Sequence, residues 1–156
     1  GDLTPAKTFW PQLGLYFDEL AADLKAAGSI KNWKTATYGD WVAIKKGSPQ
    51  YSAAYNMVVN LRQAAELATK LGFPDNATSL TAKAESVAAQ IQSEFYDLNN
   101  NCWDDCAQTS YAEAITISLP DAGAKATAAL LNDIKKTNDN HVTVGIIGAK
   151  ALFPVL

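Results

Sequence analysis

The sequence predicts an all-α domain of about six helices. Apolar residues recur every three or four positions along most of the chain, which is the period of a helix that buries one face. Small residues are frequent on these helices, which allows neighbouring helices to pack closely. Strand-like alternation is confined to residues 142–147. At 156 residues the chain is long enough for one buried core, so we predict a single domain over residues 1–156.

The first half of the chain predicts two long helices. The first opens at Pro11, carries a regular apolar stripe and stops at Gly28. Residues 28–50 follow as an irregular segment that contains two tryptophans. The second helix covers about 51–71 and ends at Gly72. We expect these two helices to form a hairpin.

The third helix has the clearest periodicity in the chain. Pro74 suits its start, because proline has no N–H to donate and fits the first turn of a helix. Its apolar stripe runs for about five turns and includes Leu80, Ala84, Val87, Ala88, Ile91, Phe95 and Leu98. We therefore predict that this helix packs against the core along its whole length.

Three shorter helices are predicted in the last third. The first covers 108–119 and is ended by Pro120. Asp121 caps the second, which extends to about residue 136. A short apolar helix over 149–152 closes the chain. Glu113 is expected to be a solvated residue on the first of these helices.

Composition excludes several classes of function. Apolar residues make up 48% and charged residues 19% of the chain, as in soluble globular proteins. A net charge of −3 leaves no basic face for nucleic acid or for an anionic membrane surface. No apolar run reaches the roughly 18 residues of a membrane-spanning helix. The chain starts at Gly1 without an initiator Met, which favours a processed form or an excised piece.

Cys102 and Cys106 predict a disulfide. Zinc needs four ligands, and His141 is the single histidine available to join the two cysteines. Free thiols are the remaining alternative. Asn76 begins the glycosylation sequon Asn-Ala-Thr. A disulfide and a sequon together favour a secreted protein.

A calcium site is not predicted. Asp97, Asn99 and Asn101 are spaced like the first ligands of an EF-hand loop. The sixth position is Cys102 where glycine is needed, and the twelfth is Gln108 where glutamate is needed. We therefore predict no metal site and no cofactor.

Three segments carry the functional signal: Tyr38-Gly39-Asp40-Trp41, Gln108-Thr109-Ser110-Tyr111-Ala112 and His141-Val142-Thr143-Val144-Gly145. A carboxylate beside an indole can hold a sugar, since the carboxylate accepts hydroxyl hydrogen bonds and the indole stacks on the ring. The alternative is structural: Asp40 caps local N–H groups and Trp41 anchors in the core. His141 is either a site residue or a turn histidine.

In this order the three segments resemble the catalytic domain of the α-L-rhamnosidases of glycoside hydrolase family 78. The resemblance implies an (α/α)6 toroid of six helical hairpins, of which this chain holds about half. It also implies that Asp40, Trp41 and His141 bind substrate. Members of the family are inverting glycosidases that use a carboxylic acid and a carboxylate base. The resemblance places both outside these 156 residues, so we predict no catalytic residue here.

Three functions follow as expectations. The first is a rhamnosidase-related hydrolase acting on terminal rhamnose once complementing segments are supplied. The second is a non-catalytic secreted protein that binds carbohydrate or is immunomodulatory. The third is a storage or structural protein without a site. Because a half-toroid leaves apolar helix faces uncovered, we also predict a homodimer or a complementing fragment as partner.

Overall fold

The computed structural model describes residues 2–34, 36 and 38–156. These residues form six α-helices, which confirms the predicted all-α class: α1 Thr4–Ala27, α2 Pro49–Leu71, α3 Pro74–Phe95, α4 Gln108–Thr116, α5 Ala124–Asn132 and α6 Ile146–Leu152. Short 3-10 helices cover Ile30–Asn32 and Phe153–Val155, and α5 continues as a π-helix over Asp133–Thr137. None of the described helices is long and apolar enough to cross a membrane.

Helices α2 and α3 form the main hairpin and most of the core. Gly72 ends α2 in the left-handed conformation that is typical of helix C-termini, with φ 80°. The Phe73 N–H then donates to the Ala68 carbonyl, which turns the chain back sharply into α3. Both helices contribute buried apolar residues to the core, with Val58 and Leu61 from α2 and, from the predicted stripe of α3, Ala84 and Ile91.

Helix α4 is the innermost helix of the described chain. Every residue from Gln108 to Ala114 is buried, although the helix opens with three polar residues. It contacts α2, α5 and α6 and the short strand Cys102–Trp103. Its polar side chains are therefore enclosed by protein and must find their hydrogen-bond partners there.

Helix α1 begins earlier than predicted. The predicted start at Pro11 is wrong, because α1 begins at Thr4 and contains Pro11 in its interior. The true start signals are Asp2, whose Oδ1 accepts from the Thr4 N–H at 2.9 Å, and Pro5 in the first turn. A cavity of about 340 Å³ separates part of α1 from α3. Three large apolar side chains of α1 are exposed to solvent: Phe9, Leu15 and Tyr16.

The end of α3 also differs from the prediction. Leu98 was expected on the buried stripe, but α3 ends at Phe95 and Leu98 is exposed. Asp97 accepts main-chain hydrogen bonds from Asn99 and Asn100, and these bonds form a tight turn. The turn joins two short antiparallel strands, β1 Tyr96–Asp97 and β2 Cys102–Trp103. No strand forms at 142–147, where α6 begins instead.

Candidate functional site

Asp40 is a fully buried carboxylate that joins three parts of the chain. Its Oδ2 accepts hydrogen bonds from the Thr109 hydroxyl at 2.5 Å and the Gly145 N–H at 2.7 Å. Its Oδ1 accepts from the N–H groups of Ile147 and Gly148 at 2.9 and 3.0 Å. The latter two N–H groups belong to the first turn of α6, where they lack partners within the helix. Asp40 is thus the N-terminal cap of a helix more than 100 residues away.

Two glycines make this close approach possible. A Cβ on Gly145 would overlap the Trp41 carbonyl oxygen and would lie 2.7 Å from Asp40 Oδ1. A Cβ on Gly148 would overlap the Thr109 hydroxyl and lie 2.5 Å from Asp40 Oδ2. Both positions therefore require glycine because the backbone itself contacts a neighbouring segment.

Main-chain hydrogen bonds tie the loop of residues 38–48, hereafter the Trp41 loop, to the segment 141–146. The Ile146 N–H donates to the Trp41 carbonyl at 3.0 Å, and the Ile44 N–H donates to the Thr143 carbonyl at 2.9 Å. Gln108 of α4 fixes the same segment from the inside. Its amide oxygen accepts from the Thr143 N–H at 2.9 Å, and its amide nitrogen donates to the His141 carbonyl at 3.2 Å. Helix α4 therefore holds the Trp41 loop through Thr109 and the segment 141–146 through Gln108.

Apolar side chains project into solvent from this rigid base. Trp41 is 71% exposed, although the residue before it is completely buried. Other exposed apolar residues of the two segments are Tyr38, Val42, Ile44, Val142 and Ile146. Isolated exposed apolar residues are ordinary, whereas a contiguous group of them marks binding surfaces. The structure thus keeps an accessible indole on a backbone that is fixed by buried hydrogen bonds.

The three residues predicted to bind substrate lie in very different environments. Asp40 is enclosed, and protein N–H and O–H groups occupy both of its oxygens. Trp41 faces solvent and does not anchor the core. His141 is exposed, and its Nδ1 lies 2.8 Å from the Asn138 carbonyl oxygen. That nitrogen carries the proton, since a carbonyl can only accept. Main-chain hydrogen bonds join the segments on which the three residues lie, and the side chains of Trp41 and His141 are exposed.

Glu113 is buried, and the expectation of a solvated helix residue is wrong. Its Oε2 accepts from the Ser52 hydroxyl at 3.2 Å, whereas its Oε1 has no partner. Burial raises the pKa of Glu113 well above its usual range, and the negative charges of Asp40 and Asp104 raise it further. The charged carboxylate form of Glu113 is therefore disfavoured in the folded protein. The burial of Glu113 cannot be predicted from the sequence, because only the packing of the whole chain shows that every residue from Gln108 to Ala114 is buried.

The predicted disulfide between Cys102 and Cys106 is present and lies against the base of the Trp41 loop. The Lys45 ammonium donates to the Cys106 carbonyl at 2.8 Å. Asp104, inside the disulfide loop, accepts from the Ser48 N–H at 2.5 Å. Burial raises the pKa of Asp104, and the hydrogen bonds from Ser48 oppose that effect in part. The disulfide loop therefore anchors the C-terminal end of the Trp41 loop.

The sequence analysis includes Gln108 and Thr109 in one of the three segments with a functional signal but assigns neither a role, whereas in the structure they hold the site together. The signal that could have found them is a polar Gln-Thr-Ser run at the start of an otherwise apolar helix. Such residues need partners when a helix is buried. In the part of the chain that the structure describes, no group of three or more His, Cys, Asp or Glu residues could hold a metal ion.

A comparison with protein-family models matches residues 1–156 to the bacterial alpha-L-rhamnosidase 6 hairpin glycosidase domain. A search among curated proteins finds no match.

Two solved structures share the fold. An α-L-rhamnosidase of Streptomyces avermitilis, solved in complex with L-rhamnose, is 24% identical with a TM-score of 0.68 over 85% of this chain. The native α-L-rhamnosidase of Aspergillus terreus is 19% identical with a TM-score of 0.69, again over 85% of this chain. The chain spans 14% of the first relative and 18% of the second, so it corresponds to a small part of each.

Proposed function

Because the chain belongs to the bacterial α-L-rhamnosidase six-hairpin glycosidase family, we propose that its Trp41 loop is part of a binding site for an L-rhamnose-type sugar. The observation that carries this proposal is the exposed Trp41 indole on a loop that buried hydrogen bonds hold in place. An indole that faces solvent can stack on the C–H face of a sugar ring. The structure of the Streptomyces relative in complex with L-rhamnose supports the choice of sugar.

Preorganisation supports binding by this loop. A loop that must be ordered when the ligand arrives loses affinity to the entropy of ordering. Here the Ile146 N–H donates to the Trp41 carbonyl, and the Gly145 N–H donates to the carboxylate of Asp40, the residue before Trp41, before any ligand is present. Asp40 therefore acts on the sugar indirectly, by positioning Trp41. The exposed ring of His141 leaves its Nε2 free to accept a hydrogen bond from a sugar hydroxyl, because Nδ1 donates to the Asn138 carbonyl.

Hydrolysis by these residues alone is not part of the proposal. An inverting glycosidase needs an acid and a base that both reach the substrate across a gap that admits water. The carboxyl groups that contact the site from within are Asp40, Asp104 and Glu113. Asp40 and Glu113 are fully buried, and Asp104 is half-buried and bound to the Ser48 N–H. We infer that this part of the chain binds sugar, and that the acid and base come from segments outside residues 1–156.

Calorimetric titration with L-rhamnose tests the proposal. The wild-type chain should give a saturable binding isotherm, and Trp41→Ala should weaken the affinity by about fivefold, since an aromatic contact contributes on the order of 1 kcal/mol. Phe9→Ala is the matched control, because Phe9 is an exposed aromatic residue of α1. A wild-type isotherm without saturable heat would overturn the proposal. So would equal affinities for wild type and Trp41→Ala.

A second proposal concerns self-association. The exposed apolar residues of α1, together with Phe153 near the end of the chain, favour a contact with a second copy or with a complementing fragment. Sedimentation at tens of micromolar distinguishes a monomer from a dimer, and Leu15→Lys should shift a dimer toward monomer. The alternative of a non-catalytic, self-associating carbohydrate-binding or immunomodulatory protein depends on this result.

We further propose that the protein is secreted and glycosylated. The disulfide supports an oxidising compartment. Asn76 of the sequon is exposed near the start of α3, where a glycan would meet solvent. The mass of the protein expressed through a secretory pathway, before and after glycosidase treatment, tests this proposal. An unchanged mass would contradict glycosylation.

A further inference from the structure

A second, smaller cavity lies between α1 and α3, near the start of α3. Its volume is about 190 Å³. Trp10, Leu13 and Phe17 line it from α1, and Asn76 and Leu80 line it from α3. Asn76 is exposed and begins the glycosylation sequon, whereas the other four side chains are largely apolar. The asparagine that would carry a glycan therefore lies at the edge of an apolar cavity.

An aromatic surface begins beside Asn76. Phe73 directly precedes α3 and lies three residues before Asn76, which is the spacing of neighbouring side chains along a helix. The ring centroids of Phe73 and Trp10 are 5.6 Å apart, with the two planes tilted by 42°. The Trp10 indole is in turn part of the cavity wall. The first sugar of a glycan on Asn76 would thus start next to two aromatic rings, whose faces suit the C–H face of a sugar.

Gly14 keeps this cavity open on the side of α1. It lies inside the helix, where glycine is less favourable than alanine. A Cβ at this position would meet no heavy atom of a neighbouring part of the described chain within 4 Å. The described contacts therefore do not require a glycine here. Because Gly14 lines the cavity, its missing side chain leaves room for an occupant that these residues do not themselves provide.

We propose that the first N-acetylglucosamine of a glycan on Asn76 occupies this cavity and stacks on Trp10. This inference rests on the proposed glycosylation and deepens it, because it makes the glycan a contact between α1 and α3. Ser79 also lines the cavity, as do Asp18 and Lys83, whose charged atoms are 2.6 Å apart. These three residues offer hydrogen-bond partners to the acetamido and hydroxyl groups of the sugar.

The covalent link makes a weak contact sufficient. Glycosylation joins Asn76 Nδ2 to the anomeric carbon of the sugar with loss of one amide proton, while the bond from that carbon to the diphosphate of a lipid-linked donor breaks. The sugar is then tethered at the edge of the cavity, so its local concentration there is high. Stacking on one indole is therefore enough to hold it in place.

The test compares two forms of the same sequence by their melting temperatures. One form is secreted by a eukaryotic host and trimmed enzymatically to a single N-acetylglucosamine on Asn76. The other is exported to a bacterial periplasm and carries no glycan. The single-sugar form should melt about 2–4 °C higher, which is the effect of one aromatic contact in a chain of this size.

Two variants locate the sugar. Gly14→Leu fills the cavity and Trp10→Ala removes the indole, so each should abolish the difference between the two forms. Each variant is compared with its own form without a glycan, so its separate effect on stability cancels. Tyr16→Ala is the matched control, because Tyr16 is an exposed aromatic residue of α1 that does not line this cavity, and it should keep the difference.

The outcomes separate this inference from the glycosylation on which it rests. Equal melting temperatures of the two wild-type forms would overturn the seating of the sugar and leave glycosylation intact. A difference of the same size in wild type, Gly14→Leu and Trp10→Ala would do the same. A secreted chain whose mass shows no glycan on Asn76 would overturn the proposed glycosylation and this inference with it.

Discussion

The Thr109 hydroxyl donates a 2.5 Å hydrogen bond to the Asp40 carboxylate and so joins two buried residues that are 69 positions apart in the chain. Thr109 lies in the first turn of α4, the innermost helix, and Asp40 lies directly before the exposed Trp41. The same carboxylate caps α6. One buried contact therefore fixes the position of a solvent-facing loop relative to the core.

Replacing Asp40 by Asn should destabilise the protein. The asparagine has the size of the aspartate but brings an N–H₂ group to a place where N–H groups already point. We expect the free energy of unfolding to fall by about 2–4 kcal/mol, because buried donors lose a charged acceptor. Urea denaturation measures this change. Asp139→Asn is the control, since Asp139 is exposed, and should change stability by less than about 0.5 kcal/mol. Equal stabilities of the two variants would contradict the capping role of Asp40.

Gly145→Ala should be among the most destabilising alanine substitutions in the chain. The new methyl group would overlap the Trp41 carbonyl oxygen, and neither backbone segment can move without breaking hydrogen bonds. We expect a loss of about 2–4 kcal/mol by the mechanism of overpacking. Gly14→Ala gives the opposite result, a gain of about 0.5–1 kcal/mol, because Gly14 lies within α1 and its Cβ would meet nothing within 4 Å. Thermal unfolding of both variants checks the contrast, and similar melting temperatures would count against it.

The stabilising contribution of Glu113 should fall as pH rises. Burial raises the pKa of Glu113 in the folded state well above its ordinary value; the hydrogen bond from Ser52 opposes this effect, and the charges of Asp40 and Asp104 add to it. The folded protein thus binds a proton that the unfolded chain releases. Its stabilising effect is complete below the unfolded pKa and is lost as pH rises through the folded pKa. The contribution of Glu113 to the free energy of unfolding should therefore decline as pH rises from 4, and the difference between wild type and a variant without this carboxyl group measures it.

Glu113→Gln isolates this effect, since glutamine has nearly the same shape and no proton to lose. The variant should match the wild type near pH 4 and exceed its stability at pH 7 and above. Glu66→Gln is the control, because Glu66 lies exposed on α2, and its curve should parallel that of the wild type. A Glu113→Gln curve parallel to the wild-type curve at every pH would show that Glu113 does not carry the pH dependence.

Reduction of the disulfide should weaken the base of the Trp41 loop. The Cys102–Cys106 link closes a short loop, so its loss should cost about 2 kcal/mol in the chain-entropy account. The Cys106 carbonyl that binds Lys45 and the Asp104 carboxylate that binds Ser48 lose their fixed positions at the same time. Melting temperatures of Cys102→Ser/Cys106→Ser and of wild type, each with and without reductant, measure the effect. Insensitivity of the wild type to reductant would contradict it.

The sequence predicted helices well where a local rule decides the structure. The stripe of α3 and the C-terminal Gly72 of α2 follow from periodicity and from backbone freedom, and both appear as expected. The start of α1 was misplaced because a proline that usually opens a helix lies inside this one. Leu98 continued a periodic pattern, but a local aspartate turn ended the helix before it.

The site was predicted only in part, for a physical reason. Trp41 and His141 are recognisable as residue types that bind sugars, but exposure depends on contacts with distant segments. The acceptor role of Asp40 requires Gly145 and Gly148, more than 100 residues away, to approach without side chains. Nothing in the local sequence around Asp40 contains that information. Likewise, the raised pKa of Glu113 follows from the burial of α4 and not from the periodicity of its sequence.

The most direct test of the account is a ¹⁵N–¹H spectrum of the indole N–H groups during titration with L-rhamnose. The chain has four tryptophans, and Trp41→Phe assigns the signal of Trp41. Trp33 and Trp103 are buried and their N–H groups are bonded to Asp23 and Gln92, so they serve as internal references. The account predicts a saturable shift of the Trp41 signal while the references stay in place. An unchanged Trp41 signal at saturating sugar would contradict the claim that this loop binds it.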